Sequence, residues 1–312
     1  MGILQRLPQS WVPYAELIRV HKPAGTLYIY FPYLFGSLFA SCVNNSTPSL
    51  GRSFLINGML FGIAFVVRGI GCTWNDIVDR DLDKHVDRCQ LRPLARGATS
   101  ATNALVFMFA QYALLFALVY TLVPGSLRYM PLVVATGTFY PYAKRITDYA
   151  QLVLGISLSM GTLVGCVAVG VDPSRIIGNW STSGSALITL MMSYVIWTMI
   201  YDTVYAFQDI ESDKKIGNKA MSIRFENSIF SLLGTLIVCQ LVFLVATGYF
   251  LGAGVGFYTG VATTGVTLLA MVSNIKMDSP ESCWWWFETG SLIVGSSYTA
   301  SLGAEYLSRL MF

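Results

Sequence analysis

The stretch 54-FLINGMLFGIAFVVRGIGCTWNDIVDRDLD-83 is apolar as far as residue 74 and then breaks into carboxylates. Residues 54 to 74 have the length of one helical bilayer crossing, about 20 residues. The remainder is unusual. On a continuing helix turning ~100° per residue, Asp76, Asp79 and Asp83 fall within an arc of roughly 60°, and Asp81 points away. Carboxylates so placed repel one another, and the arrangement makes sense with a cation such as Mg²⁺ between them. A second such place is 202-DTVYAFQDIESD-213, again after an apolar run. There Asp202, Asp209 and Asp213 share a face with Tyr205 close by, while Glu211 points away.

Further apolar runs lie at 25–43, 103–123, 128–143, 150–170, 185–207, 229–250, 254–274 and 288–308. With 312 residues, 54% of them hydrophobic and 12% charged, the composition excludes an ordinary soluble domain. The expected fold is all-α: an integral membrane bundle of nine transmembrane helices around a central cavity. Residues 1–22 form a cytosolic amphipathic lead, and 23–312 a single membrane domain. The second apolar run leads into the first acidic stretch and the sixth into the second, which suggests two related four-helix blocks plus one helix. Such a repeat sets the two acidic faces opposite each other on one membrane side.

Nine crossings put the termini on opposite sides, and the basic residues then divide unevenly. Arg80, Lys84, Arg88, Arg92, Arg96, Lys144, Arg145, Lys214, Lys215, Lys219, Arg224 and Lys276 join Arg6, Arg19 and Lys22 on the N-terminal side. Only Arg52, Arg128, Arg175 and Arg309 lie opposite, so both acidic stretches are expected to face the cytosol. The sequons at Asn44, Asn45 and Asn179 fall in the opposite loops, where glycosylation is possible. The amino terminus has neither a secretory leader nor a mitochondrial transit pattern, so the first apolar run is expected to direct insertion into the endoplasmic reticulum or another endomembrane.

Several chemistries are disfavoured. The six cysteines are dispersed without a CxxC, and the only histidines are His21 and His85, which argues against zinc or imidazole metal sites. The basic residues form no stripe for nucleic acid. A carboxylate cluster at membrane depth, costing roughly 2.5–3.5 kcal/mol per charge, calls for compensation by divalent ions. Mg²⁺ typically completes its shell with water and substrate phosphate. Cations stand nearby to meet such a phosphate. Arg68 lies two helical turns before Asn75, and Arg92, Lys144 and Arg145 sit at helix ends on the same side.

These residues resemble the UbiA superfamily of intramembrane aromatic prenyltransferases. The stretch 75-NDIVDRDLD-83 matches the family's N-D-x-x-D-x-x-x-D, and 202-DTVYAFQDIESD-213 its D-x-x-Y-A-x-x-D-x-x-x-D. The segments 19-RVHKPAGT-26, 91-LRPLARG-97 and 139-FYPYAKR-145 are further landmarks, so the likeness spans essentially the whole chain. It implies Mg²⁺-assisted loss of diphosphate from a prenyl diphosphate, followed by capture of the allylic cation by an aromatic small-molecule acceptor. Asn75, Asp76, Asp79 and Asp83 would then hold one side of the metal and diphosphate, and Asp202, Asp209 and Asp213 the other. Arg92 and Lys144 would neutralise the diphosphate, with Arg145 adjacent and Tyr140 and Tyr205 as hydrogen-bonding neighbours. Arg68 would face the acceptor, and the apolar spans would enclose the isoprenoid. The segments 19-RVHKPAGT-26 and 30-YFPYLFGSLFA-40 look most like fungal meroterpenoid-pathway members, which implies farnesyl diphosphate and a phenolic polyketide.

Plainer readings stand beside these. Charge runs are usually solvated loops. Arg68 could be a structural ion-pair partner, Lys144 and Arg145 interface anchors, and Lys214, Lys215 and Lys219 solvated or salt-bridged, unless one closes over diphosphate. The run 284-WWW-286 reads as an interfacial belt rather than an aromatic cage. The rival functions are 4-hydroxybenzoate polyprenyltransferase of ubiquinone synthesis and a membrane cation transporter.

Overall fold

The structure is a computed structural model describing residues 3–44, 47–86, 89–179 and 181–311. Among these residues the regular elements are helices, with no strand. A short α1 (Val12–Leu17) precedes α2 (Ala24–Val43), α3 (Leu50–Asp79), α4 (Ala101–Leu122) and α5 (Met130–Ile146). The pair α6 (Ala150–Ser159) and α7 (Gly161–Ala168) makes one interrupted rod, followed by α8 (Pro173–Gly178) and α9 (Thr182–Ala206). Short α10 (Ile210–Ile216) and α11 (Met221–Arg224) lead to α12 (Ile229–Leu251) and α13 (Val255–Asn274). The chain closes with α14 (Pro280–Trp285), one π-helical turn (Trp286–Gly290) and α15 (Ser291–Met311).

Each apolar range read from the sequence carries helix. Among the described residues, 7 helices are long and apolar enough to cross a membrane: α2, α3, α4, the α6–α7 rod, α9 with its extension, α12 and α13. The protein is therefore a multi-pass membrane protein. The fourth and last ranges fall short for visible reasons. α5 has 17 residues and ends in Lys144 and Arg145, while α15 is rich in Ser and Gly and carries Glu305 and Arg309.

Backbone groups in hydrocarbon have no water to bond, so helix ends need capping. Ser49, Ser100 and Ser181 are extended at their N-caps and accept bonds from the amides of Arg52, Asn103 and Gly184. Lipid tails are as apolar as leucine, so helices associate through close packing instead. The tightest approach is between α2 and α7. A Cβ on Gly36 would lie 2.0 Å from the Thr162 carbonyl oxygen, and one on Gly165 would lie 2.1 Å from that of Tyr33. Beside this seam α2 also packs on α3 and α15, and α9 lies between α6 and α12. Stacked and edge-on rings of Phe31, Phe35, Tyr194, Trp197 and Tyr298 fill the space between them.

The lead is not detached from this bundle. α1 packs against α3, and its Leu17 is wholly buried in a cluster with Leu94 and Ala104. Of the sequon residues, Asn44 donates its side-chain amide to the Val169 carbonyl and Asn179 caps the end of α8. Asn45 lies outside the described residues, as does Arg88 of the basic set.

Candidate active site

Both acidic motifs straddle the end of a long helix, which differs from the unbroken helical face expected of them. α3 stops at Asp79, and Asp83 opens a separate 3-10 turn, Asp83–His85. α9 stops at Ala206, and a 3-10 turn, Phe207–Asp209, joins it to α10. Crowding acids at a helix C-terminus opposes the negative end of the helix dipole, which favours such a break. Asp81 points outward as expected and pairs with Arg80 and Lys84.

The turns bring the two motifs to one cavity. Asp79, Asp83 and Arg92 line it on one side, Asp202, Tyr205, Asp209 and Asp213 on the other, with Tyr140, Lys144, Gln151 and Lys219 also in its wall. Asp76 is absent from that lining. It is 0% exposed, and its Oδ1 meets Arg19 at 2.6 Å and Arg92 at 3.4 Å.

The cations are held in defined places. Arg92 Nη1 bonds both Asp83 oxygens at 3.0 and 2.9 Å. Burial pushes the Asp83 carboxyl up to about 6, against the pull of Arg92, with Asp76 adding to the rise. Burial is the largest single influence on the Arg92 charge and works against it, but Asp76, Cys89, Asp83 and Tyr205 together outweigh it and hold the guanidinium protonated more firmly than usual. Arg145, exposed and outside the lining, donates to the Val78 carbonyl at 2.9 Å and reaches Asp79 at 3.4 Å. The Lys144 ammonium lies 5.2 Å from the centre of the Tyr140 ring. Lys214 is salt-bridged to Glu211 and Glu226, whereas Lys219 lines the cavity and its amide bonds the Lys144 carbonyl. Asn218 donates to Asp213 at 2.8 Å. Gln151 and Asn218 lie outside both motifs, and no local pattern marks them.

A second, mostly apolar chamber adjoins the first. Arg68, Gly71 and Asn75 of α3 line it with Tyr112 and Leu115 of α4, Val133 and Gly137 of α5, and Leu154 and Leu158 of α6. Tyr140 lines both chambers. Asn75 therefore faces the apolar chamber beside the acidic one. Among the described residues Arg68 pairs with no aspartate: it donates to Thr26 Oγ1 at 2.8 Å and to the carbonyls of Lys22 at 2.6 Å and Arg19 at 3.3 Å. In the tryptophan run, Trp285 is 48% exposed, while Trp284 bonds Glu288 and packs near Tyr205.

Among the described residues no three His, Cys, Asp or Glu side chains gather closely enough to hold an ion alone. The donors in the acidic cavity nevertheless suit Mg²⁺, a hard cation that commonly binds one or two carboxylates and takes its remaining oxygens from phosphate and water. Carboxylates from both motifs in one lining with Arg92, Lys144 and Lys219 fit an ion that arrives with a diphosphate better than a preformed cage.

A model of the UbiA prenyltransferase family matches residues 29–294. The chain belongs to this family. It is 35% identical over 311 residues to mitochondrial 4-hydroxybenzoate polyprenyltransferase of Saccharomyces cerevisiae, covering 98% of this chain and 80% of that one. It is 37% identical over 281 residues to the prenyltransferase ascA of Acremonium egyptiacum, covering 88% and 80%. DMOA farnesyltransferase nvfB of Aspergillus novofumigatus is 33% identical over 258 residues, covering 82% and 78%. The fold matches an apo UbiA homologue from Aeropyrum pernix K1 with a TM-score of 0.67 at 21% identity, over 91% of this chain and 97% of that one. A homologue from Archaeoglobus fulgidus bound to GPP and Mg²⁺ gives 0.62 at 17% identity, over 95% and 99%. The protein is thus a membrane prenyltransferase of the UbiA family, and the rival reading as a cation transporter is set aside.

Proposed function

We propose that this UbiA-family enzyme transfers a farnesyl group from farnesyl diphosphate to a ring carbon of an aromatic polyketide-type acceptor. The observation that carries the prenyl-transfer chemistry is the meeting of both carboxylate motifs at one cavity that shares Tyr140 with an apolar chamber. Asp79 and Asp83 on one wall, and Asp202, Asp209 and Asp213 on the other, would hold Mg²⁺ together with the diphosphate. When bound, Mg²⁺ supplies charge neutralisation to the leaving diphosphate. Arg92, Lys144 and Lys219 would bind its remaining charge, and Arg145 would orient Asp79. The allylic C–O bond breaks with its electron pair staying on the diphosphate. A π pair of the ring then forms the new C–C bond, and the ring loses a proton. The apolar chamber would hold the isoprenoid and keep water from the cation.

Mg²⁺ dependence is supported by the metal and GPP in the Archaeoglobus homologue, and a farnesyl donor by the likeness to the Aspergillus farnesyltransferase. Nine crossings, an endomembrane location and a cytosolic site belong to the same proposal, on the asymmetry of basic residues. A second reading, 4-hydroxybenzoate as acceptor, is favoured by the yeast enzyme's likeness across 98% of the chain. The test incubates membranes containing the protein with farnesyl or geranylgeranyl diphosphate and a panel of phenolic acids and pyrones that includes 4-hydroxybenzoate. A farnesylated polyketide-type ring is expected by mass. Product from 4-hydroxybenzoate alone supports the second reading, and a panel with no prenylated product overturns both.

A further inference from the structure

Asp76 belongs to the first acidic motif yet contributes nothing to the cavity wall. Its carboxylate is wholly buried, one oxygen meets both Arg19 and Arg92, and Oδ2 has no hydrogen-bond partner among the described residues. Arg92 continues to Asp83 at 2.9 Å. Arg19, Asp76, Arg92 and Asp83 therefore form an unbroken line of alternating charge from the N-terminal lead to the cavity.

The far end of that line is unusually well fixed. Among the described residues Arg19 is the one non-glycine with positive φ, at 57°, a conformation that persists only where its surroundings impose it. Its carbonyl and that of Lys22 are gripped by the buried Arg68, and its own Nη1 returns to the Glu16 carbonyl at 3.0 Å. A Cβ on Gly25 would stand 2.6 Å from Arg68 Nη2, so the glycine of the 19–26 landmark clears the path for that grip. Glu16 in turn pairs with Arg96 at 2.6 Å, tying the lead to the loop that carries Arg92.

We infer that Asp76 and Arg19 are positioning residues, not ligands of metal or diphosphate, and that together they hold Arg92 and Asp83 ready for the prenyl diphosphate. The inference rests on reading the acidic cavity as the diphosphate site. Two guanidinium groups and two carboxylates balance in this line. Without Asp76, Arg92 is left to Asp83 alone and draws that carboxylate, and itself, away from incoming ligands. Without Arg19, Asp76 competes with Asp83 for Arg92. Either loss weakens substrate capture more than it slows the chemical step. The segment from α1 to Gly25 thereby becomes part of the active site.

A double-mutant cycle on the detergent-purified full chain tests this, with Arg19→Gln, Asp76→Asn, both together, Arg19→Lys, and Asp79→Asn as comparator. Readouts are kcat and KM for farnesyl diphosphate at saturating Mg²⁺, and calorimetric binding of farnesyl thiodiphosphate with Mg²⁺. Each single positioning variant is expected to raise KM and Kd about tenfold with a smaller change in kcat, and the double variant to be little worse than either. Arg19→Lys, which keeps the charge, recovers most of the affinity, and Asp79→Asn abolishes turnover. Multiplying effects in the double variant overturn the inference, as does Asp76→Asn behaving like Asp79→Asn, or an unchanged KM in Arg19→Gln. If Asp76→Asn fails to accumulate in membranes, the contrast between Arg19→Gln and Arg19→Lys decides. Full turnover in Asp79→Asn instead removes the reading of the cavity itself.

Discussion

Gly71 stands one helical turn before Asn75 and lines the apolar chamber, and a Cβ built on it meets nothing within 4 Å. Gly71→Leu would therefore place four carbons in space that, in the proposed function, belongs to the isoprenoid. Excluding four methylene equivalents of tail at ~0.8 kcal/mol each costs about 3 kcal/mol, roughly a 200-fold loss in kcat/KM. Gly71→Ala adds one carbon, and the same arithmetic gives about fourfold. Neither change should unfold the helix, since replacing a helix-interior glycine with alanine gains roughly 0.5–1 kcal/mol. The assay compares kcat/KM for geranyl, farnesyl and geranylgeranyl diphosphates at one fixed acceptor. The ratio of long to short donors should fall by about two orders of magnitude in Gly71→Leu while the shortest donor is nearly spared. An equal loss with every donor, or a rise confined to the acceptor's KM, would refute the assignment of this chamber to the prenyl tail.

Further outcomes follow from the site and the bundle. Asp209→Ala should abolish product formation with protein levels in membranes near normal, and EDTA should silence the wild type until Mg²⁺ is restored; turnover that survives either treatment counts against the metal site. Gly36→Ala should lower thermal stability in detergent by about 1–3 kcal/mol, because the added Cβ would lie 2.0 Å from the Thr162 carbonyl oxygen. An unfolding midpoint unchanged from wild type would show that α2 and α7 part without cost.

Much of the site was legible from local pattern. The spacing of Asp79, Asp202, Asp209 and Asp213 marked residues that do line one cavity, and Arg92 and Lys144 were named beside them. Periodicity alone could not show that α3 ends at Asp79, because the angular argument assumes the helix it is applied to. Lys219 and Lys214 are equivalent in sequence character, yet one lines the cavity and the other is tied to Glu211 and Glu226. Gln151 and Asn218 arrive from segments with no acidic pattern of their own.

Hydropathy and motif spacing by themselves determined an all-helical membrane chain, its apolar runs and the acid-rich ends of two of them, since a bilayer imposes length and apolarity on each crossing independently of its neighbours. Tertiary structure alone decided the surroundings of each charge. Asp76 and Asp79 sit three residues apart in one motif, yet one is sealed between Arg19 and Arg92 and the other lines the cavity. That difference depends on where α1, α3 and the Arg92 loop meet, and a buried charge takes its function from the partners that reach it across the fold.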